Sequence, residues 1–147
     1  MPSHIPPGFH TVTPYLLVHG VPRLIDFLKA AFGATELERF TTDDGAVMHA
    51  QVRIGDSIIM MGEAGRGGCE AIPGALYLYL PDADAAHAAA LRVGATELMP
   101  VADQFYGDRI GGVKDPTGNT WWIATHKEAI PTEELARRAK AHAAQPS

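Results

Sequence analysis

GATEL, residues 33–37, occurs a second time at residues 94–98. Each copy follows an apolar run with strand character and then a segment whose apolar residues have helical spacing. Gly33 and Gly94 stand where a glycine that ends a helix is expected, and the Thr-Glu-Leu after each glycine suits the start of a strand. Both copies therefore mark the same event, the end of a helix and the beginning of a strand.

The segments around the two copies also correspond in order. VTPYLLVHG (12–20) and GALYLYL (74–80) are predicted strands, VPRLIDFLKAAF (21–32) and DADAAHAAALRV (82–93) are predicted helices, and a hairpin pattern follows each GATEL. The sequence therefore predicts an α+β fold of two βαβββ repeats that form a curved mixed sheet around a cleft. The repeats cover about 9–64 and 74–128, a C-terminal helix covers about 132–143, and all belong to one domain, 1–147.

Composition limits the classes of partner. The chain has 147 residues and a net charge of −5, with no basic patch of the kind that nucleic acid requires. No apolar run approaches the ~18 residues of a membrane span. The N-terminus lacks a signal-peptide pattern, and the single cysteine, Cys69, cannot form a disulfide within the chain. We therefore expect a cytoplasmic protein with neither a nucleic-acid nor a membrane partner.

Three segments carry a family resemblance: the helix that ends in FGATEL, HAQVRIGDSIIMM (49–61) and YGDRIGGVKDPTGNTWWIATH (106–126). Together they resemble the vicinal oxygen chelate superfamily of glyoxalases, bleomycin-resistance proteins and dioxygenases, over about 11–127. The nearest branch looks like the one labelled phosphonate-operon-B-like or demethylubiquinone-methyltransferase-like. The D-P-x-G-N-x-W-W stretch is the most specific part, and it indicates a fold rather than a chemistry.

The resemblance implies a divalent metal held by His and Glu side chains on the first and last strands of each repeat. The corresponding positions here are Thr13, Met60, Ala75 and Trp122. None is a suitable ligand for such a metal, and a register slip of one residue would turn each side chain to the other face of the sheet. We therefore expect no metal or other cofactor.

A nonstandard metal site stays open as an alternative. His10, His49 and His126 are the histidines nearest to the predicted cleft, and Glu63 and Glu128 lie close to strand ends. A site built from them would make the protein a metal-dependent lyase, isomerase or dioxygenase.

Strand alternation assigns side chains to the two faces of each sheet. Leu16, Val18 and one tryptophan, Trp121, are expected in the core. The predicted ligand-binding residues are Tyr15, His49, Gln51, Arg53, Tyr77, Tyr79, Arg109 and Trp122. For Arg109, an ion pair with Asp103 or Asp108 is the favoured alternative role.

Aromatic side chains in a cleft stack on flat ligands, so these residues predict binding of a small planar or aromatic molecule. Packing of the same aromatics within the protein, or at a dimer interface, is the alternative reading. The sequence thus predicts metal-independent binding, with sequestration as one role, by a homodimer. We also expect His87 on the surface of its helix, Asp82 and Thr132 as N-caps, and Asp115 as a turn residue.

Overall fold

The computed structural model describes residues 3–66 and 68–145; the outermost residues of the predicted domain lie outside these ranges. The helices are α1 (Val21–Phe32), α2 (Ala83–Arg92) and α3 (Thr132–Ala143). The strands are β1 (Tyr15–Val18), β2 (Thr35–Thr41), β3 (Val47–Ile54), β4 (Ser57–Glu63), β5 (Ala75–Tyr79), β6 (Thr96–Asp103), β7 (Asp108–Lys114) and β8 (Thr120–His126). This order confirms the α+β fold with two βαβββ repeats and a C-terminal helix.

Each repeat forms its own four-stranded mixed sheet. The strand orders are β1-β4-β3-β2 and β5-β8-β7-β6, so the first strand of each repeat lies beside its last strand. That pair is parallel in both sheets, whereas the hairpin pairs are antiparallel. The parallel pair is possible because the helix connects the first strand to the rest of the repeat.

Both GATEL copies begin a strand after a helix, as predicted. Gly33 caps α1 in the left-handed conformation, with φ of 68°, and its N–H donates to the Lys29 carbonyl. In the second copy the C-cap is Val93, and Gly94 follows it with φ of 105°. The expected cap at Gly94 is therefore displaced by one residue, although the glycine still supplies the left-handed turn.

The two repeats share one hydrophobic core. It contains Leu24, Ile25 and Leu28 of α1 together with Trp121 and Ile123 of β8, all fully buried. The rings of Phe32 and Trp121 lie 5.4 Å apart across the boundary between the repeats. Helices α1 and α2 also pack against each other. The helix-facing side of each sheet is therefore the buried side, which confirms the predicted core positions.

The turn between β7 and β8 is held by the buried carboxylate of Asp115. This side chain accepts hydrogen bonds from the backbone N–H of Thr117 at 2.7 Å, from Asn119, and from the indole Nε1 of Trp121 at 2.7 Å. The predicted turn role of Asp115 is confirmed. The bond to Trp121 was not anticipated, and it ties the turn directly to the shared core.

Three smaller predictions have mixed outcomes. Asp82 caps α2 as expected, because its side chain accepts a hydrogen bond from Ala85 N. His87 is buried rather than on the surface, and its Nε2 lies 2.9 Å from Glu97 Oε1. Thr132 is the first residue of α3 rather than its cap, which is Pro131. The Ala-rich sequence of α2 obscured which of its faces is buried.

Among the described residues, no helix is both long and apolar enough to cross a membrane.

Candidate functional site

The outer face of the second sheet, opposite α2, carries an aromatic platform made of Tyr77, Tyr79 and Trp122. Tyr77 is 42% exposed and Tyr79 is 64% exposed, whereas Trp122 is half-buried. Tyr77 and Trp122 are register partners in the β5–β8 pair, so their side chains leave the same face. The predicted orientation of all three residues is confirmed.

Gly112 explains why the Trp122 ring can lie flat on the sheet. The two residues are partners in the β7–β8 pair, and a methyl group placed on Gly112 would overlap the six-membered ring of Trp122. The ring therefore occupies the space that a side chain at 112 would fill. A glycine inside a strand often marks such a close approach.

Asp108 is the polar centre of this face. It is only 5% exposed, and its Oδ2 accepts hydrogen bonds from the hydroxyls of Tyr77 at 2.7 Å and Tyr79 at 3.1 Å. Its Oδ1 lies 2.8 Å from Nδ1 of His126. Because β8 lies between β5 and β7, the two tyrosine side chains must cross β8 to reach Asp108. The carboxylate thus fixes the orientation of the platform.

The charge of Asp108 persists in this setting. Burial alone would raise the pKa of Asp108, but the hydrogen bonds from His126, Tyr77 and Tyr79 outweigh it, so the pKa lies below its ordinary value. Burial and the bond to the negative carboxylate raise the pKa of Tyr77, and the same two causes raise the pKa of Tyr79. Near neutral pH the face therefore holds one carboxylate and two neutral phenols.

A cavity of about 570 Å³ lies at the end of this sheet. Asp108 and the two residues that follow His126, Lys127 and Glu128, are among its lining residues. Asp103 and Arg109 also line it, whereas the platform residues do not, so Asp108 is the residue that the cavity and the platform share.

Arg109 lies on the opposite face of the second sheet from the platform. Its guanidinium bonds both carboxylate oxygens of Asp84 on α2, at 2.7 and 2.9 Å, and Asp103 at 3.3 Å. Asp108, expected as one of two alternative partners, binds the tyrosines instead. The ion pair with Asp103, one of the two expected for Arg109, is confirmed, whereas Arg109 does not share the face of the tyrosines. The reason is the pleat, since adjacent residues of β7 point to opposite faces.

The remaining predicted residues lie on the outer face of the first sheet. The ring centroids of Tyr15 and His49 are 5.9 Å apart, and the centroid of Phe40, which is 53% exposed, is also 5.9 Å from that of His49. Gln51 lines a cavity of about 510 Å³ beneath the N-terminal segment, whose lining includes Phe9, His10 and Met60. Arg53 is exposed at the end of the same row.

These residues form two separate groups. One group is on the first sheet around Tyr15, His49 and Gln51, and the other is the platform around Asp108. The cavity at Gln51 is lined by the N-terminal segment and the first repeat, and the cavity at Asp108 is lined by the second repeat. Within the described ranges, no hydrogen bond or ring contact joins the two groups.

The four positions that the family resemblance assigned to a metal do not fit one here. Thr13, Met60, Ala75 and Trp122 offer a hydroxyl, a thioether, a methyl group and an indole, which are poor donors for a divalent cation. In residues 3–66 and 68–145 no group of three or more His, Cys, Asp or Glu side chains is arranged to hold a metal ion.

Glu63, considered for a nonstandard metal site, has a structural role instead. Its carboxylate accepts hydrogen bonds from the backbone N–H of Gly20 at 3.0 Å and of Val21 at 3.1 Å. It therefore caps the N-terminus of α1, where a negative charge is favourable. Glu128 likewise pairs with Arg138 of α3 at 3.0 Å.

Sequence reasoning missed Asp108, Phe40 and Gly112 as parts of these faces. For Asp108 a usable signal exists, since it precedes Gly112 by four residues and so shares its face in a regular strand. The sequence alone did not show that β7 pairs with β8, and this pairing places Asp108 opposite His126.

The comparisons with known proteins agree with this architecture. A family model described as the Glyoxalase/Bleomycin resistance protein/Dioxygenase superfamily matches residues 8–123. The chain belongs to this superfamily, which is the vicinal oxygen chelate superfamily that its motifs resemble.

Its relatives leave the particular activity open. An uncharacterized protein of Mycobacterium bovis is 31% identical over 134 residues, which cover 84% of this chain and 88% of that protein. A gene product of Arabidopsis thaliana of known structure is 27% identical, with a TM-score of 0.64 and coverage of 79% of this chain and 98% of that one. TioX from Micromonospora sp. ML1 shares the fold at 22% identity, with a TM-score of 0.64 and coverage of 78% and 98%.

Proposed function

We propose that this protein binds a small planar or aromatic molecule without a metal, on the aromatic platform of Tyr77, Tyr79 and Trp122. The observation that carries the proposal is the buried Asp108 carboxylate, which holds two exposed tyrosines in fixed positions. Aromatic groups that are oriented before binding lose little conformational freedom when a ligand stacks on them. Each such stacking contact contributes about 0.5–1.5 kcal/mol.

The poor donor set supports the metal-independent form of this proposal. A thioether, a hydroxyl and an indole at the ligand positions would bind a divalent cation weakly, and Glu63 is engaged by the N-terminus of α1. The role that follows is sequestration of an aromatic compound in the cytoplasm. The DPTGNTWW stretch at 115–122 supports placing the chain in the phosphonate-operon-B-like branch.

We further propose that the working form is a homodimer. The outer faces of both sheets expose large apolar side chains, among them Tyr15, Phe40, Tyr77 and Tyr79. A second copy that laid its first sheet against the platform would bury these aromatics and bring the two groups of site residues together. Light scattering during size-exclusion chromatography measures the mass, and a monomer at every concentration tested would contradict the dimer.

The binding proposal is tested by tryptophan fluorescence of metal-free protein titrated with a panel of flat aromatic compounds. We expect saturable quenching in the wild type and its loss in Trp122→Phe, because Trp122 is the tryptophan that the ligand touches. Quenching that persists in Trp122→Phe would contradict the platform as the site.

Elemental mass spectrometry after incubation with zinc, nickel, manganese and iron(II) measures how much metal the protein retains. Stoichiometric metal that survives dialysis would overturn metal independence.

A further inference from the structure

Nε2 of His126, next to the platform, is available to form a hydrogen bond with a ligand. His126 ends β8 and is the register partner of Asp108. Its Nδ1 lies 2.8 Å from the Asp108 carboxylate, while 56% of its side chain is exposed. An ionised carboxylate only accepts hydrogen bonds, so Nδ1 is the donor to Asp108, and in the neutral form of the ring the lone pair is on Nε2. No hydrogen bond within the described residues occupies Nε2.

Other polar groups near the platform are already engaged by partners within the protein. The hydroxyls of Tyr77 and Tyr79 already donate to Asp108, and their raised pKa keeps them neutral. Asp108 itself is buried and its oxygens are engaged. Among the charged residues of the cavity next to Asp108, Arg109 is paired with Asp84 and Asp103, and Glu128 is paired with Arg138. Among the described residues of this face, His126 is therefore the side chain that is exposed and has a ring nitrogen without a hydrogen-bond partner.

Asp108 also fixes the orientation of the His126 ring. A buried carboxylate that accepts a hydrogen bond from Nδ1–H holds the imidazole in one orientation, as in other aspartate–histidine pairs. More than half of the His126 side chain is exposed, which leaves room for a ligand group beside the ring. The platform would hold the flat part of the ligand, and its polar substituent would reach His126.

We propose that the ligand is an aromatic compound with an acidic hydroxyl group, and that His126 takes the proton of that hydroxyl. This inference rests on the proposed binding function. On binding, the ligand O–H bond breaks and an N–H bond forms at Nε2, which leaves an aryl oxide and an imidazolium paired with Asp108. Release reverses the transfer, and no electron changes hands. A ligand that is already anionic brings no proton to His126, so the negative charge of Asp108 repels it.

The test uses two probes, p-nitrophenol and p-nitroanisole, which share a flat nitroaromatic ring and differ in the acidic hydroxyl. p-Nitrophenolate absorbs in the visible range and p-nitrophenol does not. At a pH below the ordinary pKa of the phenol, we expect the wild type to bind p-nitrophenol more tightly than p-nitroanisole and to develop the phenolate band. Tryptophan quenching measures the affinity of both probes.

His126→Asn is the informative variant, because the asparagine amide can still donate to Asp108 but has no basic nitrogen. We expect loss of the phenolate band and a fall in p-nitrophenol affinity of about tenfold, with p-nitroanisole affinity unchanged. His126→Gln provides a second variant without a base. His19→Asn, an exposed histidine of the first repeat, is the matched control and should behave as the wild type. Circular dichroism checks that each variant is folded.

The outcomes separate the two proposals. A phenolate band that survives in both His126 variants would show that another group takes the proton. Equal wild-type affinity for the two probes, without a phenolate band, would overturn the ligand class and leave the platform intact. Failure of the wild type to bind either probe would overturn the proposed function and this inference with it.

Discussion

The hydroxyl of Tyr77 on β5 lies 2.7 Å from Oδ2 of Asp108 on β7, although β8 separates the two strands. The tyrosine side chain must therefore lie along the sheet rather than stand away from it. Tyr79 makes the same crossing, and the centroids of the two rings are 5.2 Å apart. One buried carboxylate thus turns two exposed tyrosines into a fixed surface.

Replacing Asp108 by asparagine should destabilise the fold in a pH-dependent manner. The folded pKa of Asp108 is lowered, so its contribution to the free energy of unfolding is complete above the ordinary aspartate pKa of about 4 and is lost as pH falls through the folded pKa. We expect Asp108→Asn to cost about 1–3 kcal/mol at pH 7, with a smaller difference in acid. Urea unfolding at both pH values measures it.

Asp103→Asn is the matched control for this experiment. Asp103 is 77% exposed and forms an exposed ion pair with Arg109, so its replacement should cost less than about 1 kcal/mol. A loss of stability for Asp108→Asn that does not change with pH would mean that the charge of Asp108 does not stabilise the fold.

The two adjacent tryptophans should separate stability from binding. Trp121 is fully buried and donates to the buried Asp115, so Trp121→Phe removes both packing volume and a hydrogen bond. We expect a loss of about 2–4 kcal/mol in the free energy of unfolding. Trp122→Phe, on the outer face, should cost about 1 kcal/mol or less and should instead abolish ligand quenching. Chemical unfolding and ligand titration of both variants measure these effects, and equal destabilisation would contradict the assigned faces.

The adjacent glycines of β7 offer a second test of the two faces. A methyl group at Gly112 would overlap the Trp122 ring, which can swing toward solvent, so Gly112→Ala should shift Trp122 emission and weaken ligand binding. A methyl group at Gly111 would lie 2.6 Å from His87 Nδ1 and 2.7 Å from Val101, both on the helix side. Gly111→Ala should therefore mainly lower the midpoint of thermal unfolding. The reverse pattern would show that the register of β7 differs.

Glu63 provides a test of its structural role against a metal-binding role. Because its carboxylate caps α1, Glu63→Gln should cost about 0.5–2 kcal/mol of stability and leave the metal content unchanged. Glu70→Gln, at an exposed carboxylate in a loop, is the control and should change neither quantity. Bound metal in the wild type that disappears in Glu63→Gln would favour the metal-dependent alternative.

Much of the architecture could be predicted because it depends on local patterns. The repeated GATEL predicted the duplication, because a glycine in the left-handed conformation followed by a strand is a local event. Two-residue alternation correctly placed Leu16 and Val18 in the core and Tyr77 and Trp122 on the outer face, because side chains in a strand alternate whatever the partner strand. These inferences needed no knowledge of which strands pair.

Where reasoning from the sequence failed, a contact between distant segments was decisive. Arg109 was assigned to the aromatic face because the sequence did not show which residues of β7 face α2, and its ion pair with Asp84 forms only when α2 packs on the sheet. His87 was expected at the surface because its partner, Glu97 of β6, becomes its neighbour only when α2 packs on the sheet. Helical periodicity cannot identify the buried side when most neighbours are alanine.

The sequence by itself determined the two βαβββ repeats, the faces of β5 and β8, and the absence of suitable donors at the metal positions. Tertiary structure alone decided that Asp108, Tyr77, Tyr79 and His126 meet around one carboxylate. The physical reason is that helix ends and strand faces are set by backbone geometry within a few residues. A hydrogen-bonded cluster across three strands depends instead on strand order and register, which form only when the chain packs.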